Sequence, residues 1–140
     1  MISFFTTGIR YHVRGKQQLK KWFTEVAGLE GKKIGDLNII LCSDEFLYDL
    51  NVQYLQHHTY TDIITFDHNA GKDFLSGELY ISVDRVRDNA VARGIQIQAE
   101  LHRVMVHGLL HLCGYGDRTK AQKSKMSILE DKHLAHLKFV

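Results

Sequence analysis

The chain has no proline among its 140 residues, so glycine must mark most of the element boundaries. It has only two cysteines, Cys42 and Cys113, too few for a disulfide framework and compatible with free thiols in a reducing compartment. It has no apolar run long enough to cross a bilayer, which argues against a membrane partner. The first fifteen residues carry too short an apolar stretch for a signal peptide and no small-residue cleavage site. A cytoplasmic location is the expectation. A formal net charge of +2 is too small to mark a nucleic-acid binder by itself.

What is present is ordinary for a globular protein. Hydrophobic residues make up 44% and charged residues 24%, and the length suits one domain, residues 1–140, able to bury a core without staples. No repeat or low-complexity tract interrupts it. Basic residues gather at 10–21 and 118–125, where solvated helix faces are the commonest cause. The chain has nine histidines. Seven of these, His12, His57, His58, His68, His102, His133 and His136, lack metal-site spacing and read as surface or hydrogen-bonded core residues.

Periodicity supplies the elements. Residues 2–6 are short and β-prone. Over 16–27, Leu19, Trp22, Phe23 and Val26 recur at helical spacing, with Gly28 as the stop. A turn at 31–35 leads to a buried strand at 37–42. Ser43 reads as an N-cap, with Asp44 and Glu45 in the first turn of a helix through 54 whose stripe is Phe46, Leu47, Leu50 and Tyr54. Residues 61–66 are β-branched and aromatic and read as a strand, 68–73 as a loop and 77–82 as another strand. Ser82 or Asp84 caps a short helix ending near Gly94. The longest apolar-rich helix covers 95–112, burying Leu101, Val104, Met105, Leu109 and Leu112, and a polar-rich helix covers 120–137. The order β-α-β-α-β-β-α-α-α predicts an α+β (mixed α/β) domain with a mixed sheet of about four strands and about five helices.

The chemistry concentrates in His107-Gly-Leu-Leu-His111-Leu-Cys-Gly114-Tyr-Gly-Asp117. Histidines four apart on a helix share a face, about 5–6 Å between Cβ atoms, and reach a single tetrahedral ion. Such a pair alone is common by chance. Here Gly114 follows where a helix-ending glycine would sit, and Asp117 lies where the returning chain delivers a third ligand. Three protein ligands leave a fourth position open to solvent, the layout of a catalytic rather than a structural site. Zinc suits two imidazoles and a carboxylate, with one ion per chain, and nickel, iron or manganese fit the same donors. Gly108 occupies the position that holds the general-base glutamate in the zinc-protease helix, which argues against a peptidase of that type.

The same residues resemble the YbeY family of metal-dependent endoribonucleases. Its motif His-Gly-x-Leu-His-Leu-x-Gly-Tyr-Asp-His is met by His107, Gly108, Leu110, His111, Leu112, Gly114 and Tyr115. Thr61-Asp62-Ile63-Ile64-Thr65-Phe66 is similar to its Thr-Asp-Val-Leu-Ser-Phe segment, and Gly77-Glu78-Leu79-Tyr80-Ile81-Ser82 to its Gly-Asp-Ile-x-Ile-Ser strand. The resemblance spans roughly residue 37 to the C-terminus. It implies a single-strand-specific endoribonuclease maturing small-subunit (16S) ribosomal RNA, chiefly at the 3′ end, and serving ribosome quality control. It further implies ribosomal RNA and the small ribosomal subunit as partners, and a metal in a cleft beside a mixed sheet.

Three departures stand out. The family's third histidine is Asp117 here, preceded by Gly116 instead of aspartate. The family's arginine after the tyrosine of Asn-x-x-Tyr-Arg is Leu55, so His57, His58 or another basic residue would have to fill that role. The proline before Thr-Asp is Tyr60.

On this reading His107, His111 and Asp117 are both ligands and catalytic centre, and Asp62 orients a ligand histidine from behind. Arg103, Arg118 and Lys120 contact phosphate, and Tyr115 stacks a base. No dedicated general base is visible. Two rivals stay open. A hydrolase of a small molecule or peptide would show an enclosed apolar pocket, and a ribosome-assembly factor with a structural metal would show a fourth protein ligand.

Overall fold

Alternating apolar residues build one sheet from four strands. In the computed structural model, which describes residues 1–68 and 73–138, these are β1 (Ile2–Thr7), β2 (Lys33–Cys42), β3 (Ile63–Asp67) and β4 (Phe74–Ser82), in the order β1-β2-β4-β3. β2 runs parallel to β1 and β4, whereas β3 is antiparallel to β4. The short 68–73 connection allows only that antiparallel return. The loop expected there is borne out at His68 and Asp73; residues 69–72 lie outside the described residues.

Strand alternation then divides the core in two. Leu37, Ile39, Leu41, Leu79 and Ile81 face the larger cluster, and Cys42 and Ile64 face a smaller one with Leu47. Five helices complete the fold: α1 (Lys16–Leu29), α2 (Asp44–Leu55), α3 (Val83–Arg93), α4 (Ile97–Leu112) and α5 (Lys120–Leu134). α1 packs on β2 and α4, α4 lies on β3 and β4, and α5 packs on α4. Trp22 and Phe23 of α1 are the largest side chains fully buried in the main cluster. α2 covers the opposite face over β3 and β4.

The element order matches the sequence reading, while several boundaries move for identifiable reasons. α1 runs through Gly28, where a Cβ would meet only open space, and the chain turns at Gly31. β2 begins at Lys33 and β4 at Phe74, because those two ends pair with each other across an irregularity between Ile34 and Leu37 that hides the alternation. α4 starts two residues late because Gly94 and Ile95 close the end of α3 by bonding back to Val91 and Ala90. α5 ends at Leu134, short of 137.

The expected stripe of α2 is only partly right. Leu47 is buried, but Phe46 and Tyr54 are exposed, and Asn51 is buried in their place. Asn51 Nδ2 donates to the Thr59 carbonyl at 2.9 Å, tying down the segment between α2 and β3. The Ser43 and Ser82 caps form as expected, each accepting from the backbone N–H three residues on. Thr119 and Gln122 add a capping box that starts α5, a [Ser/Thr]-x-x-[Glu/Gln] signature that was legible in the sequence.

Candidate metal centre

Helical spacing brings the two histidines of α4 together. The imidazoles of His107 and His111 lie 4.6 Å apart between ring centroids, with their Nε2 atoms 3.0 Å apart. Gly108, between them in sequence, is where α4 touches the sheet. A Cβ there would come within 2.6 Å of Ile63 Cδ1 and 3.0 Å of Leu79 Cδ2, so the absence of a side chain sets how close the histidines sit to β3.

α4 ends as its glycine requires. Gly114 has φ 105°, a region disfavoured for L side chains, and the Gly114 and Tyr115 amides donate back to the carbonyls of His111 and Leu110. This bend brings Asp117 Oδ2 to 3.3 Å from both Nε2 atoms. The bend is anchored to the C-terminal end of α1, where the Tyr115 hydroxyl donates to Glu30 Oε1 at 2.6 Å. Glu30 Oε2 also accepts from His133 Nε2 at 2.9 Å. Burial works to raise the Glu30 carboxyl, but those two hydrogen bonds outweigh it and hold it below its ordinary value.

The outer ring nitrogens decide which way the lone pairs point. His107 Nδ1 donates to Glu130 Oε2 at 2.6 Å, and His111 Nδ1 donates to the Tyr115 carbonyl at 2.8 Å. With those protons in place, both Nε2 atoms present lone pairs toward each other and toward a carboxylate. Three electron-pair donors converging with no proton between them repel one another unless a cation sits among them. Their spacing also fits one. Tetrahedral ligands held at about 2.0–2.1 Å from zinc lie about 3.3–3.4 Å apart, close to the 3.0 and 3.3 Å separations here. Among the described residues no fourth His, Cys, Asp or Glu joins the three. That matches an open catalytic layout rather than a closed structural one.

Glu130 is the functional residue that sequence reasoning missed. It is buried, and its other oxygen accepts from Arg103 Nη1 at 3.0 Å. A signal existed: Met126, Glu130 and His133 form the buried face of α5, so a carboxylate stands where the helical period demands an apolar residue. Burial lowers the proton affinity of His107, but the Glu130 hydrogen bond and charge more than reverse it and raise the imidazole above its usual value.

The remaining predicted residues scatter. Asp62 borders the site but does not hydrogen-bond a ligand; its Oδ2 accepts from Asn89 at 3.5 Å, and the orienting role expected of it belongs to Glu130. Burial pushes its carboxyl up despite the pull of His107. The Arg103 guanidinium is held by Glu130 and by Asp131, at 2.6 Å, so structural pairing occupies it. Tyr115 packs against the main core with its hydroxyl on Glu30, which leaves it poorly placed to stack a base. Lys120 is exposed at the first position of α5 and lines neither depression beside the centre. Arg118 lines the cleft directly.

That cleft has a volume of about 520 Å³ and opens over the triad. Asn51, Thr59, Thr61 and Thr65 make its wall largely polar, unlike an enclosed apolar pocket. Leu55 and His57 also line it, whereas His58 does not. Cys113 stays outside the ligand cluster, its thiol pushed up to about 12 by burial.

Fold and triad together define a class: a small mixed-sheet α+β protein with a cleft suited to one divalent metal. Comparison with known proteins narrows it. The family model described as Endoribonuclease YbeY matches residues 8–138. An Endoribonuclease YbeY of Cytophaga hutchinsonii is 44% identical over 138 residues, covering 99% of this chain and 96% of that protein. One from Phocaeicola vulgatus is 45% identical over 135 residues, covering 96% and 97%. The solution structure of TM1509 from Thermotoga maritima superposes with a TM-score of 0.68 at 27% identity, covering 98% of this chain and 89% of that one. The chain belongs to the YbeY endoribonuclease family.

Proposed function

We propose that this chain is a metal-dependent endoribonuclease that cuts single-stranded RNA, with one zinc ion held by His107, His111 and Asp117. Its physiological substrate is the 3′ end of small-subunit (16S) ribosomal RNA, with a further part in ribosome quality control. The whole chain, residues 1–140, acts as one cytoplasmic domain that meets the small ribosomal subunit. The observation that supports this best is the convergence of His107 Nε2, His111 Nε2 and Asp117 Oδ2 within 3.0–3.3 Å of one another beside an open polar cleft, in a chain of this family.

Zinc held by His107, His111 and Asp117 would supply Lewis acidity for cleavage of a phosphodiester. The protein's part is positional. Glu130 and the Tyr115 carbonyl fix both imidazoles in the tautomer whose Nε2 is free to ligate. Asp117 adds a negative charge that three neutral imidazoles would lack, which strengthens cation retention and tempers Lewis acidity. Arg118 brings a guanidinium to the cleft, a cation for the phosphate where Leu55 offers none. Asp62 lies close enough to His107 to favour its charged form but acts through space.

The test is cleavage of a single-stranded RNA carrying the 16S 3′ precursor sequence by protein stripped and reloaded with defined metals. Asp117→Ala should lose at least about 100-fold in rate, more than changes outside the ligand set typically cost, along with metal content. Full activity in Asp117→Ala, or equal cutting of duplex and single strand, would count against the proposal.

A further inference from the structure

The triad does not sit at the bottom of a single hole. A second depression of about 270 Å³ lies beside the first, and the two share Asp62, His107 and Asp117. The metal centre therefore stands on a saddle with space on both sides. The second depression is near the low end of small-ligand pockets, enough for one nucleotide unit and not for a duplex.

The charges of the second depression are arranged in two groups. Its floor holds two buried carboxylates, each matched by an arginine: Glu100 with Arg93 at 2.7 Å and Glu130 with Arg103 at 3.0 Å. These pairs offset the charges of Glu100 and Glu130, while the other two carboxylates of the lining, Asp62 and Asp117, lie where the two depressions meet at the metal centre. Lys123 lines the same depression, is exposed, and has no ion-pair partner among the described residues. Arg118, in the first cleft, likewise has no side-chain ion pair among the described residues. The two cations are held in register by one device. Gln122 Oε1 accepts from the Arg118 and Thr119 amides, and Thr119 Oγ1 accepts from the Gln122 amide, locking the start of α5.

We infer that a single RNA strand crosses the saddle from one depression to the other, with Arg118 and Lys123 contacting backbone phosphates on opposite sides of the scissile bond. This rests on the endoribonuclease reading. An enzyme that cuts inside a chain must hold nucleotides both before and after the cut. A dead-end pocket would suit a chain end or a small molecule, whereas two joined depressions with one free cation each suit a strand passing through.

The experiment uses three synthetic RNAs: one extended on both sides of the cleavage point, one trimmed on its 5′ side and one trimmed on its 3′ side. The kcat/KM and the anisotropy-derived affinity of each are measured for the zinc-loaded wild type, Arg118→Ala and Lys123→Ala. Both replaced residues are exposed, and unchanged melting temperatures would show that the variants fold. On the doubly extended RNA each variant should lose about threefold to tenfold in affinity and about one unit of salt slope. The Arg118→Ala loss should disappear on one trimmed RNA and the Lys123→Ala loss on the other. Losses that vanish on the same trimmed RNA, or no loss on the extended one, would overturn the two-sided path while leaving the endoribonuclease intact. A wild type that neither binds nor cuts any of the three RNAs would remove the endoribonuclease reading and this path with it.

Discussion

Glu130→Gln perturbs the metal centre through one buried hydrogen bond without changing side-chain size. In the native chain Oε2 accepts the His107 Nδ1 proton at 2.6 Å while Oε1 accepts from Arg103 at 3.0 Å. Glutamine has one acceptor where glutamate has two. If the amide oxygen serves Arg103, its NH₂ faces Nδ1, and His107 must shift its proton to Nε2, the atom that faces His111 and Asp117. If the oxygen serves His107, the NH₂ confronts the guanidinium, with only Asp131 left for Arg103. Either way the site loses a charged partner at a position about 8% exposed. Partners of this kind typically contribute about 10- to 100-fold in metal affinity, or about 1.4–2.7 kcal/mol. Zinc dissociation constants by chelator competition should therefore rise by that factor in Glu130→Gln, and Glu130→Asp should recover only part of it. An affinity within twofold of wild type would show that His107 needs no carboxylate to hold its tautomer, and the account of the centre would be wrong.

Two further outcomes follow from the packing. His102 is buried against the edge of Trp22, and burial lowers its imidazole to about 4. Because the unfolded chain binds this proton more readily, the contribution is intact above the unfolded value of 6.5 and drains away as pH falls toward 4. Its size is at most about 3 kcal/mol. Urea unfolding at pH 7 and pH 4 should show that loss in wild type and a smaller one in His102→Leu; equal losses would refute it. Tyr115→Phe removes the hydroxyl that anchors the Gly114 bend to Glu30. Thermal unfolding should register about 1–3 kcal/mol of destabilisation, the cost of depriving a largely desolvated carboxylate of one donor. Unchanged stability would mean that His133 alone satisfies Glu30.

Much of the site was legible because it is local. His107 and His111 are one helical turn apart, Gly114 is the residue that can end the turn, and Asp117 follows within reach. Backbone geometry converts those spacings into approximate positions, which partners from α1, α5 and the sheet then fix. Ser43, Ser82 and the apolar positions of α1 and α4 were legible for the same reason. The stripe of α2 misled because Asn51, a polar residue, takes a buried position to hold the Thr59 carbonyl. Arg103 and Tyr115 misled because charge and aromaticity say nothing about which partner claims them.

What the sequence determined by itself was the order of the elements, the spacing that brings His107, His111 and Asp117 together and the likeness to a family, all written in short-range spacing and residue type. Tertiary structure alone decided that Glu130, 23 positions beyond His107, orients it, and that Glu30, 85 positions before Tyr115, steadies the bend. It also placed the triad on a saddle between two depressions rather than in one pocket. Spacing along a helix or strand is dictated by backbone dihedrals one residue at a time. Which distant side chains meet depends on how whole helices seat on the sheet, a property of the packed core and not of any single segment.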